Sequence, residues 1–452
     1  MKNYRNRTSL FIISITSVFI YIIYFVFFQS NPQELFICDV YSKNVISFGS
    51  IDLEFLYPFN RCDDKIYLNT LLTIENIFSE GNNPYQNRPV YLFFNYLIYQ
   101  ILFFFIKENN PFLSFLPEIT YFVVQLMYFV LGVFIIIKVL AKYFSISKFD
   151  LFLITILFSL NPLMQFGVFT PSNHTLSFLV FVVSVYLLEN LQTTKQLFFY
   201  SSLLGILFLL NRSFFIGLVS INIFFLYSNR YNYKILISNL ASTLFFFIPN
   251  FLYKRYLSFR EISLYDINTE YYGHFIWLSK YFDQGIGYWI SKIFLPNKLF
   301  ELRFTKSWNT TDEWYCQNLP ENFACYVNDS LELLKYLIIP VLLVIIFLFH
   351  NKLKSKVIKN VILVGVVAYV FWSFIGWYPP IRFNLYSLGN FLFVLLVIGY
   401  INLEFIRYKL LYFTIVALYL FNIIHWNNPN LFSFNSVNIL LLLAVIFFGL
   451  IS

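Results

Sequence analysis

The chain has 452 residues, of which 59% are hydrophobic and only 12% charged, with a formal charge of +8 and a mean hydropathy of +0.67. Too few polar groups exist to clothe a soluble domain, so composition points to an all-α polytopic membrane protein of about 12 transmembrane helices, within a range of about 11–13. The basic residues are scattered between apolar runs instead of gathered on one soluble face, which argues against a nucleic-acid partner.

Lys2, Arg5 and Arg7 precede the first apolar run, 9–28, which is long enough to cross about 30 Å of hydrocarbon. Phe27-Phe28-Gln29-Ser30 offers no small-residue cleavage site, so the run reads as a retained anchor with its N-terminus cytoplasmic. An outer loop over 29–118 follows. In it, Asp63-Asp64-Lys65-Ile66-Tyr67 opens a segment where Tyr67, Leu71, Ile74 and Phe78 recur at helical spacing, with Asn69, Thr73 and Asn76 between them. That pattern predicts an amphipathic juxtamembrane helix. Asn87-Arg88-Pro89-Val90-Tyr91 then leads into the apolar stretch 89–106. Counting this stretch as a crossing would put the later lysine-rich loops on the wrong side, so it is expected to lie along, or dip into, the outer leaflet.

Spans are predicted over 119–137, 151–169, 176–188, 197–210, 213–227 and 235–252. The stretch 197–227 reads either as a tight hairpin or as one helix bent around Asn211-Arg212. A second large outer loop, 253–332, carries Trp277, Trp289, Trp308 and Trp314, which suit an interfacial cap. Spans over 333–349, 361–377, 385–401, 410–424 and 437–451 complete the pattern and return the C-terminus to the cytoplasm. With this alternation Lys138, Lys142 and Lys148 fall inside, as do Arg230 and Lys234, Lys352, Lys354, Lys356 and Lys359, and Arg407 and Lys409. That is the positive-inside distribution. Of the acidic residues only Asp150, Glu189 and Glu404 join them. Cys38 and Cys62 share the first outer loop and Cys316 and Cys325 the second, which makes them disulfide candidates in an oxidising compartment with their connectivity open.

Chemistry is sought among the few charged residues at the outer edge. Asp63 and Asp64 open the amphipathic helix, where the dipole favours ionised carboxylates able to take a proton from a hydroxyl; a plain N-cap doublet is the competing reading. With no His nearby in sequence they make a poor metal set, so no metal ligand or cofactor is assigned and a divalent-metal requirement stays undecided. Arg88 stands at the lip of 89–106, suited either to phosphate or to snorkelling. Arg212 interrupts a nearly continuous apolar run, and Arg382 follows Trp377-Tyr378-Pro379-Pro380-Ile381; both are phosphate candidates or headgroup contacts. His174, in the outer turn Pro171-Ser172-Asn173-His174, reads as a substrate contact or as a water-facing turn residue.

These features together resemble the GT-C class of integral-membrane glycosyltransferases, the group that includes aminoarabinose transferases and protein O-mannosyltransferases. Asp63-Asp64-Lys65-Ile66-Tyr67 is similar to that class's Asp-Glu-x-x-Tyr-like motif, with Asp at the second position, and Asn87-Arg88-Pro89-Val90-Tyr91 to its cation-Pro-x-Tyr entry into an embedded helix. Thr170-Pro171-Ser172-Asn173-His174 falls where relatives often carry another acidic residue. The resemblance implies a GT-C-like membrane module over 1–252, the outer loop 253–332 and a C-terminal membrane module over 333–452. It implies Asp63 as catalytic base with Asp64 supporting, Arg88 with Arg212 or Arg382 on the donor phosphate, and Tyr67, Tyr91 and His174 at the substrate. The activity implied is sugar transfer from a polyprenyl-phosphate donor to a lipid, glycan or protein acceptor at the outer face of the inner membrane. A polysaccharide polymerase and a lipid-linked oligosaccharide flippase are the rival readings; mid-span positions that are almost uniformly apolar argue against the flippase.

Overall fold

The computed structural model describes residues 2–28, 45–48, 51–54, 67, 70–71, 88–105, 113, 116–161, 164, 168, 175–229, 233–262, 356–375, 389–403 and 405–425. Helices dominate: α1 (Lys2–Phe28), α2 (Pro89–Phe105), α3 (Leu116–Leu140), α4 (Lys148–Leu160), α5 (Leu176–Asn190), α6 (Thr194–Phe208), α7 (Phe215–Ser228), α8 (Tyr233–Phe259), α9 (Lys356–Ile375), α10 (Gly389–Asn402) and α11 (Ile406–His425). The all-α expectation holds, with one small hairpin added to it. Strands β1 (Val45–Phe48) and β2 (Ile51–Glu54) pair antiparallel, Val45 opposite Glu54 and Phe48 opposite Ile51. Ile51-Asp52-Leu53-Glu54 alternates with the period of a strand, and Gly49-Ser50 supplies the residue types of a two-residue turn.

Two of the described helical segments, Ile119–Leu140 and Tyr233–Phe259, are long and apolar enough to cross a bilayer, and the shorter apolar ones include Pro89–Phe105, Leu176–Asn190 and Arg212–Ser228. The described residues therefore do not reach the expected count of about 12 crossings; the predicted spans 333–349 and 437–451 lie outside them. Two predicted boundaries move. The span expected over 151–169 stops as a helix at Leu160, because Pro162 has no N–H and forces Asn161 into extended backbone, φ −64° and ψ 118°. The helix expected to end at 252 continues to Phe259. It closes at Glu261 in the left-handed region, φ 54°, where the Ile262 N–H reaches the Leu257 carbonyl at 3.1 Å, a Schellman closure.

Contacts divide the chain into two units. One comprises Tyr24–Phe129 and Phe166–Trp277. Here α8 packs along α6 and α7, and α7 also packs on α5. Gly205 lets the α6 backbone meet the Phe246 carbonyl of α8, and a Cβ there would collide with it. The Phe246 ring stacks edgewise on Phe208 and Phe215, at 5.2 and 5.9 Å between centroids. A Cβ at Gly217 in α7 would stand 2.9 Å from Leu204 of α6 and 2.9 Å from Ser184 of α5. Leu204 and Gly217 meet only because the chain folds back between them, so 197–227 is a hairpin and not one bent helix. Asn211 makes the break: its extended backbone leaves α6, and its side-chain oxygen accepts the Ser213 N–H at 2.8 Å to start a 3-10 turn, Arg212–Phe214. Between α7 and α8, Asn222 donates to the Thr243 hydroxyl at 3.2 Å and accepts from Ser242 at 3.2 Å, polar contacts of the kind that hold apolar helices in register.

The other unit comprises Met1–Ile23, Val130–Gln165 and Leu278–Ser452. In it α4 packs against α10 and α11, and α9 against α10, with Phe158 and Phe393 edge to face at 5.1 Å. Asp150 is the pin. Ser147 and Asp150 form a capping box at the start of α4, and the outer oxygen of the same carboxylate accepts from Lys409 of α11 at 2.8 Å and from the Tyr400 hydroxyl of α10 at 3.1 Å. The Asp150 side chain is 8% exposed and that of Lys409 13%. Burial pushes the Asp150 carboxyl up, but hydrogen bonds from Lys409 and from the Ser147 side chain and N–H, with the Lys409 charge, outweigh it and hold the group below the usual carboxylate value.

Two outcomes follow for purified protein in detergent. Lys409→Met strands a buried carboxylate and is expected to lower stability by about 2–3 kcal/mol in thermal unfolding; an unchanged melting temperature would show the pair contributes nothing. Because the folded-state value is depressed, the stabilisation is present above the unfolded Asp value of about 4 and is lost as pH falls through the lower folded value. The stability gap between wild type and Asp150→Asn should therefore be full near neutrality and close on acidification.

Candidate functional site

The site assembles around Tyr67, the last residue of the acidic motif. Tyr67, Thr70 and Leu71 are all buried, and their spacing i, i+3, i+4 is one face of a helix, as the apolar periodicity predicts for the start of the amphipathic segment. Tyr67 is held from two directions. Its backbone carbonyl accepts the Tyr121 hydroxyl of α3 at 2.7 Å and the Thr70 hydroxyl at 2.6 Å. Its own hydroxyl accepts from Arg88 Nη1 at 2.7 Å. Tyr67 and Arg88 are 21 residues apart in sequence, so this bond joins the acidic motif to the cation-Pro-x-Tyr segment.

Arg88 is placed by the start of α2. Pro89 suits the first helical position because its missing N–H has no partner to lose there, and the Arg88 carbonyl accepts the Leu92 N–H at 3.2 Å. Arg88 thus occupies the helix N-cap, where the macrodipole is positive and a cation is disfavoured unless an anion or a strong acceptor offsets it. The Val90 N–H donates to the Leu209 carbonyl at 3.3 Å, laying the first turn of α2 beside the α6–α7 hairpin that carries Arg212. Arg212 is half-buried at the opening of its 3-10 turn.

Around the Arg88–Tyr67 bond lies a cluster of tyrosines. Tyr91 is fully buried; its hydroxyl accepts from Gln125 Nε2 of α3 at 2.6 Å, and its ring meets Tyr67 edgewise at 5.8 Å and Tyr128 in a stack at 6.4 Å. Tyr67 also meets Tyr121 edgewise at 6.2 Å. Each such pair contributes about 0.5–1.5 kcal/mol beyond the area it buries. Asn95, one turn along α2, donates to the Tyr91 carbonyl at 2.7 Å.

Of the residues proposed from sequence, Tyr67, Arg88 and Tyr91 come together here and Arg212 stands on the neighbouring hairpin. Asp63, Asp64, His174, Arg382, Cys38, Cys62, Cys316 and Cys325 lie outside the described residues. Burial assigns Tyr67 and Tyr91 a supporting place: neither ring is exposed enough to serve as a substrate platform. Sequence reasoning missed Tyr121, Gln125 and Tyr128. Their spacing i, i+4, i+7 is a polar stripe along α3 inside a predicted span, and a glutamine among apolar residues was the signal. Among the described residues no group of His, Cys, Asp and Glu could hold a metal ion. No family model, curated protein or solved structure matches this chain.

The Arg88 to Tyr67 bond can be weighed by a double-mutant cycle. Tyr67→Phe and Arg88→Ala should each lower the melting temperature, with a coupling of about 1–2 kcal/mol between them. Strict additivity would show that the bond does not hold the two segments together.

Proposed function

We propose that the chain is a multi-pass glycosyltransferase of the GT-C kind, with about 12 spans, that moves a sugar from a polyprenyl-phosphate donor to a lipid, glycan or protein acceptor at the outer face of the inner membrane. The observation that carries the reading is the hydrogen bond from Arg88 to Tyr67. It ties Tyr67, the last residue of the acidic motif, to a guanidinium poised at a helix N-terminus, which supports reading the two motifs as parts of one site. Either motif alone is short; their physical linkage is what chance matches do not explain.

In the proposed step the Asp63 carboxylate takes the proton of the acceptor hydroxyl as its oxygen attacks the anomeric carbon. The bond from that carbon to the donor's phosphate oxygen breaks, and the electron pair leaves with the polyprenyl phosphate. Arg88, with Arg212 or Arg382, neutralises the negative charge building on the departing oxygen. Asp64 supports the base, and His174 stays a candidate contact to substrate.

One observation supports the topology that the reading needs. Asp150 and Lys409, both expected at the cytoplasmic side, pair at 2.8 Å, so the loops that carry them share a side. The placement of α2 along the outer leaflet rests on the alternation of the lysine-rich loops. A reporter or cysteine label at 107–111 should therefore read as external, and a cytoplasmic signal would overturn the arrangement.

The chemistry is tested by Asp63→Asn, expected to lower sugar transfer by at least about 1,000-fold with insertion and melting temperature unchanged. Arg88→Ala should raise the apparent KM for donor while acceptor preference stays the same. Retained transfer in the first variant would end the catalytic assignment.

A further inference from the structure

Two hydrogen bonds in series lead from α3 to Arg88. Tyr121 of α3, fully buried, donates its hydroxyl to the Tyr67 carbonyl at 2.7 Å, and the Tyr67 hydroxyl accepts from Arg88 Nη1 at 2.7 Å. All three residues belong to one unit. The Thr70 hydroxyl reaches the same carbonyl at 2.6 Å, so two donors meet the two lone pairs of that oxygen. Their effects differ. Thr70 travels with Tyr67 on one turn, and its bond cannot fix that turn against the rest of the unit. Tyr121 lies 54 residues away on a helix of 25 residues, and its bond ties the turn to that helix. The Tyr121 ring also packs on Tyr67 and Tyr91, at 6.2 and 6.3 Å between centroids, so a phenylalanine there would keep the packing and delete only the bond.

We infer that Tyr121 is a positioning residue for the donor: acting through Tyr67, it aims the Arg88 guanidinium at the phosphate of a prenyl lipid. The inference rests on the donor-phosphate reading above and deepens it with a residue from outside both sequence motifs. A guanidinium meets phosphate through a planar fork, which works only when its plane is directed at the oxygens. It carries five N–H donors, so the bond from Nη1 to Tyr67 sets the direction of the fork without consuming it. A long arginine side chain otherwise has many rotamers to lose, and holding it in one beforehand lowers the entropy cost of binding.

The test uses the full chain in detergent, with binding of farnesyl phosphate measured by native mass spectrometry and farnesol as the uncharged control. Tyr121→Phe is expected to weaken farnesyl phosphate about fivefold and leave farnesol unchanged. In an Arg88→Ala background, itself weaker by about tenfold, the same substitution should cost less than about twofold, because the guanidinium it aims is gone. Tyr412→Phe removes a comparable buried bond, to the Leu396 carbonyl at 3.0 Å in the other unit; it should lower the melting temperature and keep farnesyl phosphate within about twofold of wild type. Tyr121→Met serves in place of the Phe variant if that one does not fold. An equal loss from Tyr121→Phe with and without Arg88 would show a structural role alone and overturn the inference. Wild-type affinity in Tyr121→Phe, with loss in Arg88→Ala, would overturn it too and leave the donor reading standing. Farnesyl phosphate bound no more tightly than farnesol by wild type would remove the donor reading, and the inference with it.

Discussion

The hydrogen bonds on Tyr67 are the constraint from which the candidate site follows. A short segment outside the long apolar helices has little packing area of its own and must be ordered by polar contacts. Tyr67 supplies three: its carbonyl takes Tyr121 and Thr70, and its hydroxyl takes Arg88. In surroundings this dry each bond is worth more than at a water-exposed surface, because the alternative is an unpartnered polar group. The tyrosine layer under it, with Tyr91 and Tyr128 stacked and Gln125 on the Tyr91 hydroxyl, makes a firm floor for a cation whose placement at a helix N-terminus is otherwise unfavourable.

The helices that surround this floor gain rigidity by close approach. Apolar helices in an apolar solvent have little hydrophobic reason to associate, and what remains is van der Waals contact and interhelical hydrogen bonding. Gly205 against the Phe246 carbonyl and Gly217 against Leu204 and Ser184 supply the first; Asn222 with Ser242 and Thr243 supplies the second. Helix α8 has only 17% of its apolar window buried, against 61% for the window in α3. A helix so lightly covered by protein matches one that faces lipid.

Asp150 shows how a charged residue is tolerated among apolar helices. Its carboxylate opens α4, closes a capping box with Ser147 and meets Lys409 and Tyr400. The desolvation cost that would otherwise neutralise it is outweighed by these donors. It acts on the helix arrangement of its own unit.

Much of the helical framework was written in the sequence. Apolar runs longer than a turn or two have few alternatives once composition rules out a polar surface, so α3, α5, α7 and α9 to α11 fall within a few residues of their predicted places, while α1 starts earlier, at Lys2. Proline chemistry set a local break that periodicity alone overran, Asn161-Pro162 ending α4 early, and Asn211 decided for the hairpin between the two readings open for 197–227. Periodicity also found Tyr67, and residue type found Arg88 and Arg212. Tertiary structure alone decided which of these meet. That Tyr67 holds Arg88, that Tyr121 and Gln125 form the floor, and that Lys409 answers Asp150 across 259 residues are long-range facts. A one-dimensional pattern records which face a residue occupies on its own helix; it carries no record of the neighbour across the gap, because the packing that brings two helices together depends on all the side chains between them.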